Sequence, residues 1–296
     1  MIHLLPYLRG VLHNDCTLFI KLIRIGDYHL KSSNRNADVE RYWLRFTRHL
    51  FLSSLSNVDC NTGVSNELWV FLKNFSYQTR FGLYGSWKRG FREIALAPYS
   101  KAKAIDQTKR VMRRISKDNL KQFGRILGKI CHSNSVHGIT VILDQLQAYE
   151  NLIPHAVDAM RFLTEFDMDV LSFVMVESLS NPEKSRLKDD GTNISAWLLN
   201  LSDFCGTVYH KYIGLDLSSI LHYIYCQMFD RNIFDLAVLK GLVQKMSGIA
   251  SLDSLSDAQI DALVAGEHYR NEVTLYFSSR FLSNCLMLVF VRLRSD

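Results

Sequence analysis

Proline is scarce, four residues in 296, which excludes polyproline stretches and long Pro-rich linkers. Cysteine occurs six times, at positions 16, 60, 131, 205, 226 and 285, and never as Cys-x-x-Cys, so the usual zinc-ribbon and redox spacings are missing. The scattered positions fit reduced, buried thiols of an intracellular protein. The opening MIHLLPYLRG has no charged segment followed by a long apolar one and makes a poor signal peptide. The longest late apolar run, Phe281 to Val291, covers eleven residues, too short for the roughly 30 Å of a bilayer interior. No membrane partner is expected. Sustained β-type alternation is also lacking, and what remains is an ordered helical chain, 48% hydrophobic.

Acidic residues are nearly missing from one region. Between Arg80 and Lys129 there are 14 Lys and Arg against Glu93, Asp106 and Asp118, while the rest of the chain is net acidic. That is the electrostatic footprint of a surface for a polyanion or an acidic partner. Lys101 to Asn134 carries the densest part and predicts two helices joined at 116–119. Lys109, Arg113 and Lys117 repeat every four residues and Arg110 and Arg114 run beside them, so five cations are expected on adjacent rows of the first helix. Ile105, Val111, Met112 and Ile115 form its buried side. The second helix, with Asp118 or Asn119 as cap, buries Leu120, Phe123, Leu127 and Ile130 and carries Lys121, Arg125 and Lys129. These eight cations, Lys109, Arg110, Arg113, Arg114, Lys117, Lys121, Arg125 and Lys129, are the candidate contact residues, for RNA phosphates or for an acidic protein surface. Gly124 and Gly128, four apart on a helix, predict close approach of a neighbouring backbone.

Elsewhere apolar stripes of helical period follow one another. Leu18, Phe19, Leu22 and Ile23 mark one helix. Asn36 or Asp38 caps the next, with Val39, Trp43, Phe46 and Leu50 inward and Arg41, Arg45 and Arg48 on a face expected to be solvated. Asn61-Thr62-Gly63 breaks the chain before helices at Glu67–Lys73 and Tyr77–Ile94. Further stripes run through Ile153 to Leu163, Leu171 to Leu179, Ile194 to Val208, Asp216 to Met228 and Asp235 to Met246. The polar stretch 184–193 is an exposed connection, and Ser256 with Gln259 forms a capping box flanked by Leu255 and Ile260. Elements of this length joined by short turns predict an all-α, HEAT-like stack of antiparallel helix hairpins, an α-solenoid. Its expected divisions are N-terminal helical repeats over 1–100, a central hairpin region over 101–271 and an apolar tail over 272–296.

No motif proposes a reaction or a cofactor. Gly124-x-x-x-Gly128-Lys129-Ile130 is one residue short of a phosphate loop and lacks the Ser or Thr after lysine. His132 and His137 read as core or loop histidines, not zinc ligands. Asp189-Asp190 reads as a solvated pair, and Gly85-Ser86-Trp87 is not a nucleophile elbow. Trp69, Phe71, Phe75, Tyr77, Phe81, Tyr84 and Trp87 lie beside cations and could stack bases, but their helical spacing favours a packed core.

Four ordered blocks carry a family resemblance. They are Glu67-Leu68-Trp69 through Leu83-Tyr84-Gly85-Ser86-Trp87-Lys88; Lys101 to Asn134, with Lys121, Gly124, Arg125, Gly128, Lys129, His132, Ser133 and Asn134; Asn181-Pro182-Glu183-Lys184 through Phe204-Cys205-Gly206; and Phe234-Asp235-Leu236 through Ser247-Gly248-Ile249. In this order the chain resembles the middle region of the THO complex subunit 2 family. Ser135 stands where that family tends to place proline. The resemblance implies a non-catalytic nuclear scaffold, without cofactor or metal, that couples transcription to mRNP assembly and mRNA export. Its implied partners are other THO complex subunits, the DEAD-box RNA ATPase of TREX and mRNA, although the family's basic RNA-binding extension lies outside the resembling region. The likeness starts inside what would be a much longer protein and fades near Glu272, so both ends are expected to be cut.

Overall fold

The computed structural model describes Leu8 and residues 11–32, 36–90, 96–188 and 191–248. Among these the protein is all-α, and its one β-type contact is an isolated antiparallel bridge between Leu187 and Ile194. The capping box expected at Ser256 and the apolar tail lie outside the described residues.

Helix α1 (Cys16–Lys31) begins where the Asp15 carboxylate accepts from the Thr17 and Leu18 amides, 2.9 and 3.0 Å away. It buries Phe19, Leu22, Ile23, Gly26 and Leu30, while Leu18, expected inside, is exposed. Helix α2 (Ala37–Phe46) is capped by Asn36, which accepts from the Val39 amide at 2.8 Å. It runs through a π turn at Thr47–Phe51 into the short α3 (Leu52–Leu55). Hydroxyls compete for carbonyls in this turn: Thr47 donates to the Trp43 oxygen at 2.7 Å and Ser53 lies 2.9 Å from that of His49.

Helix α4 (Thr62–Leu72) starts five residues before the expected Glu67, because Asn61 caps it through the Gly63 and Val64 amides. Helix α5 (Tyr77–Arg89) stops short of Ile94 at Gly90, whose φ of 86° leaves the helical region. Then come α6 (Leu96–Met112), α7 (Leu120–Ala148), α8 (Ile153–Ala159), α9 (Glu165–Leu179), α10 (Ala196–Lys211), α11 (Ser218–Phe229) and α12 (Leu236–Ser247).

Helix α7 lies at the centre, packed against α4, α5, α6, α8, α9 and α10, while α1 packs on α4 and α10 on α12. The last contact is very close: a Cβ on Gly206 would sit 2.5 Å from the Gly241 carbonyl oxygen, so neither helix tolerates a side chain at the crossing. Phe71, Phe75, Tyr84 and Trp87 are buried in one continuous apolar core. Trp87 stacks on Phe166 at 6.1 Å and donates its indole N–H to Ser56 Oγ at 2.8 Å. Its full burial is worth about 3 kcal/mol. These four rings of the aromatic group are therefore core and offer no base-stacking platform, while Trp69, Tyr77 and Phe81 are half-buried.

The polar loop after α9 is more tied down than an exposed connection. The Arg186 guanidinium donates to the Leu179 and Asn181 carbonyls, occupying acceptors at the end of α9, and reaches the buried Asp235 at 3.5 Å. No helix among the described residues is long and apolar enough to cross a membrane. Of the described cysteines none is in a disulfide; Cys131 and Cys205 are buried as expected, but Cys60 and Cys226 are exposed.

Candidate partner and nucleic-acid interface

The basic surface is built on the α6–α7 hairpin, and the expected five-cation helix face is not how it is made. Helix α6 ends at Met112, so Lys109 and Arg110 lie in its last turn while Arg113, Arg114 and Lys117 lie in the connection. Two forces end the helix early. Ile115 turns inward and is buried beside Val111 and Met112. Asn119 staples the turn, accepting from the Ser116 amide and donating to the Arg114 carbonyl, both at 2.8 Å. Asn119 thus occupies the N-cap position of α7 without a side-chain capping bond.

Lys121, Arg125 and Lys129, four apart, then form one row along α7 about 12 Å long. The rotation of that row is fixed from behind. A Cβ on Gly124 would lie 2.7 Å from the Phe162 ring, and one on Gly128 2.8 Å from the Phe162 carbonyl oxygen. The close approach expected from the two glycines is real, and its partner is the segment after α8. With that side pressed inward, all eight candidate cations are exposed. Arg110 is 2.7 Å from Asp106, an exposed pair of little energetic weight. Among the described residues the other seven have no acidic partner.

Two cations that the composition counted with this region belong elsewhere. Arg80 is about nine-tenths buried and forms a two-pronged pair with Asp169 at 2.8 and 2.9 Å. Tyr84 donates to the same carboxylate at 2.7 Å. Lys88 is held by Glu177 at 2.7 Å. Nothing in the local pattern marks Arg80 as internal, since its partner is 89 residues away.

Beyond Lys129 the same helix changes character, and Cys131 to Ile139 are all buried. The backbone leaves helical geometry at Asn134, φ −134° and ψ 51°. The break forms although serine, not proline, follows it. Ser133 donates to the Val58 carbonyl at 2.7 Å and accepts from the Cys60 amide at 3.2 Å, and Asn134 donates to the Ser56 carbonyl at 3.1 Å. Asp167, fully buried, accepts from the Thr164 amide and hydroxyl and lies 3.0 Å from His132 Nδ1 and 2.5 Å from Ser135 Oγ.

Serine, histidine and aspartate thus meet, but Ser135 and His132 both address the carboxylate. The hydroxyl is not poised on the imidazole as a nucleophile would be, and the arrangement acts as a clamp between α7 and α9. His137 is buried nearby, and burial followed by the charges of Lys101 and Lys88 lowers its pKa to about 4. Among the described residues no group of three or more His, Cys, Asp or Glu is placed to hold a metal ion.

Comparison with known proteins adds a second line of observation. A family model described as THO complex subunit 2 N-terminus matches residues 2–125, and one described as transcription- and export-related complex subunit matches 127–202. THO complex subunit 2 of Homo sapiens is 40% identical over 277 residues, covering 90% of this chain and 17% of the relative. The protein of that name from Arabidopsis thaliana is 33% identical over 225 residues, 76% of this chain and 12% of its own length. The one from Saccharomyces cerevisiae is 23% identical over 255 residues, 84% of this chain and 16% of its own. The chain spans less than a fifth of the length of these curated relatives.

Proposed function

Because this chain belongs to the THO complex subunit 2 family, we propose that it is a non-catalytic scaffold segment of the THO/TREX assembly, acting in the nucleus. In this reading it binds other THO complex subunits and the DEAD-box RNA ATPase, and so couples transcription to mRNP assembly and mRNA export. The observation that carries the reading is the likeness to proteins named as that subunit along 90% of the chain. The helices would form a HEAT-like α-solenoid, with 1–100, 101–271 and 272–296 as successive parts. Lys109, Arg110, Arg113, Arg114, Lys117, Lys121, Arg125 and Lys129 would supply one contact surface. The test is retention: a tagged, cooperatively folded chain incubated with nuclear extract should hold back THO subunits and the ATPase. If it retains none of them, the scaffold reading fails.

A second reading is favoured by the seven outward cations that have no acidic partner among the described residues, namely sequence-independent binding of RNA. Binding would weaken with salt, each phosphate contact adding about −0.7 to the slope of log affinity against log salt for single strands. Replacing Arg110, Arg113 and Arg114 by Glu should abolish retention on single-stranded RNA, and unchanged retention would remove this reading.

A further inference from the structure

A groove of about 420 Å³ lies between the α2–π-turn rod and α5. Leu44 and the buried Leu83 line it, α5 walls it from Thr79 to Ser86, and Arg45 and Arg48 stand on its rim. Both arginines are exposed, and among the described residues neither has an acidic partner. Arg41, one turn before Arg45 on α2, continues the row and meets the exposed Asp38 at 3.5 Å.

Gly82 leaves one wall of the groove as bare backbone. It lies in the middle of α5, where glycine costs about 1 kcal/mol against alanine, and a Cβ placed there would meet nothing within 4 Å. Gly124 and Gly128 are explained by a neighbour inside the protein. Gly82 has no such neighbour among the described residues, and a bare helix backbone beside an apolar floor suits the close approach of a helix from outside.

We propose that this groove docks an acidic amphipathic helix of a partner protein, its apolar residues entering over Leu44, Leu83 and Gly82 and its carboxylates meeting Arg45 and Arg48. The wall from Thr79 to Ser86 is about 10 Å long, enough for two helical turns with anchors at i, i+3, i+4 and i+7. The rim charge selects acidic flanks. RNA suits the site less well: phosphates gain nothing from a leucine floor, and the nearby Trp43 and Phe46 are buried in the core and offer no ring for bases to stack on. The inference stands on the groove alone and does not depend on the family reading.

The test uses the full chain and fluorescence anisotropy with a synthetic amphipathic helix of about 18 residues, leucines on one face and glutamates beside them. A lysine-flanked version and a fluorescent oligouridylate are the comparison probes. Gly82→Leu fills the groove without straining the fold and should weaken the acidic peptide tenfold or more, with the thermal midpoint unchanged or raised. Arg45→Glu with Arg48→Glu should lose the acidic peptide and gain the lysine-flanked one. The proposal is overturned if the acidic peptide fails to bind saturably, if Gly82→Leu binds it as well as the parent does, or if oligouridylate binds through the arginine pair regardless of Gly82.

Discussion

The two halves of α7 put polar residues to opposite uses. In the first half Lys121, Arg125 and Lys129 face water, with no acidic partner among the described residues, while two glycines press the back of the helix onto Phe162. In the second half His132 to Ser135 face inward: His132 and Ser135 bond Asp167 of α9, and Ser133 and Asn134 bond the carbonyls of Val58 and Ser56 after α3. Exposed charges add little to stability because water solvates them equally well in the unfolded chain. Buried polar groups commit the fold, since a donor stripped of its acceptor has no water to turn to. The second half therefore sets where the helices sit, and the first half is left free to engage a partner.

The largest effect expected from disturbing this division is at Asp167. Asp167→Ala removes the buried acceptor shared by the Thr164 amide and hydroxyl and by His132, while Ser135 keeps the Cys131 carbonyl, and should cost about 3 to 5 kcal/mol, read as a fall in the urea midpoint. Next is the pH response of His137. Its folded pKa of about 4 lies below the ordinary value near 6.5, so between those values the unfolded chain binds the extra proton and stability falls as pH falls. The loss from pH 7 to pH 4 should be about 3 kcal/mol, and in His137→Asn that part of the pH dependence should vanish.

Gly128→Ala follows. Its Cβ would meet a backbone oxygen that cannot yield as a side chain can, for a cost of about 1 to 3 kcal/mol. The smallest stability effect belongs to the strip: Arg113→Glu, Arg114→Glu and Lys117→Glu together should move the unfolding free energy by less than about 0.5 kcal/mol per site. A much larger destabilisation from the strip than from Asp167 would reverse the comparison.

Much of this was legible in the sequence because it depends on local pattern. The helical class follows from apolar period, a cap at Asn36 or Asp38 from residue type, with Asn36 the one used, and the tight approach at Gly124 and Gly128 from glycine where a helix would rather have alanine. What local pattern does not carry is pairing at a distance. Arg80 counts as one more cation in a basic stretch until Asp169 folds against it, and His132 reads only as a core or loop histidine until Asp167 arrives from α9. The early end of α6 was hidden for another reason: the periodicity of Lys109, Arg113 and Lys117 continues through a turn that Ile115 and Asn119 impose. The cations kept their exposure and lost their helix. At Gly82 the same glycine signal that marks an internal contact in α7 marks an open groove in α5, a distinction that only the surrounding atoms make.

The most direct test is lysine reactivity in the chain alone and after mixing with purified THO subunits. The account predicts that Lys109, Lys117, Lys121 and Lys129 react readily in the free chain and become protected on assembly, while Lys88, engaged with Glu177, changes little. Equal reactivity of all four strip lysines before and after mixing, with the chain folded throughout, would contradict it.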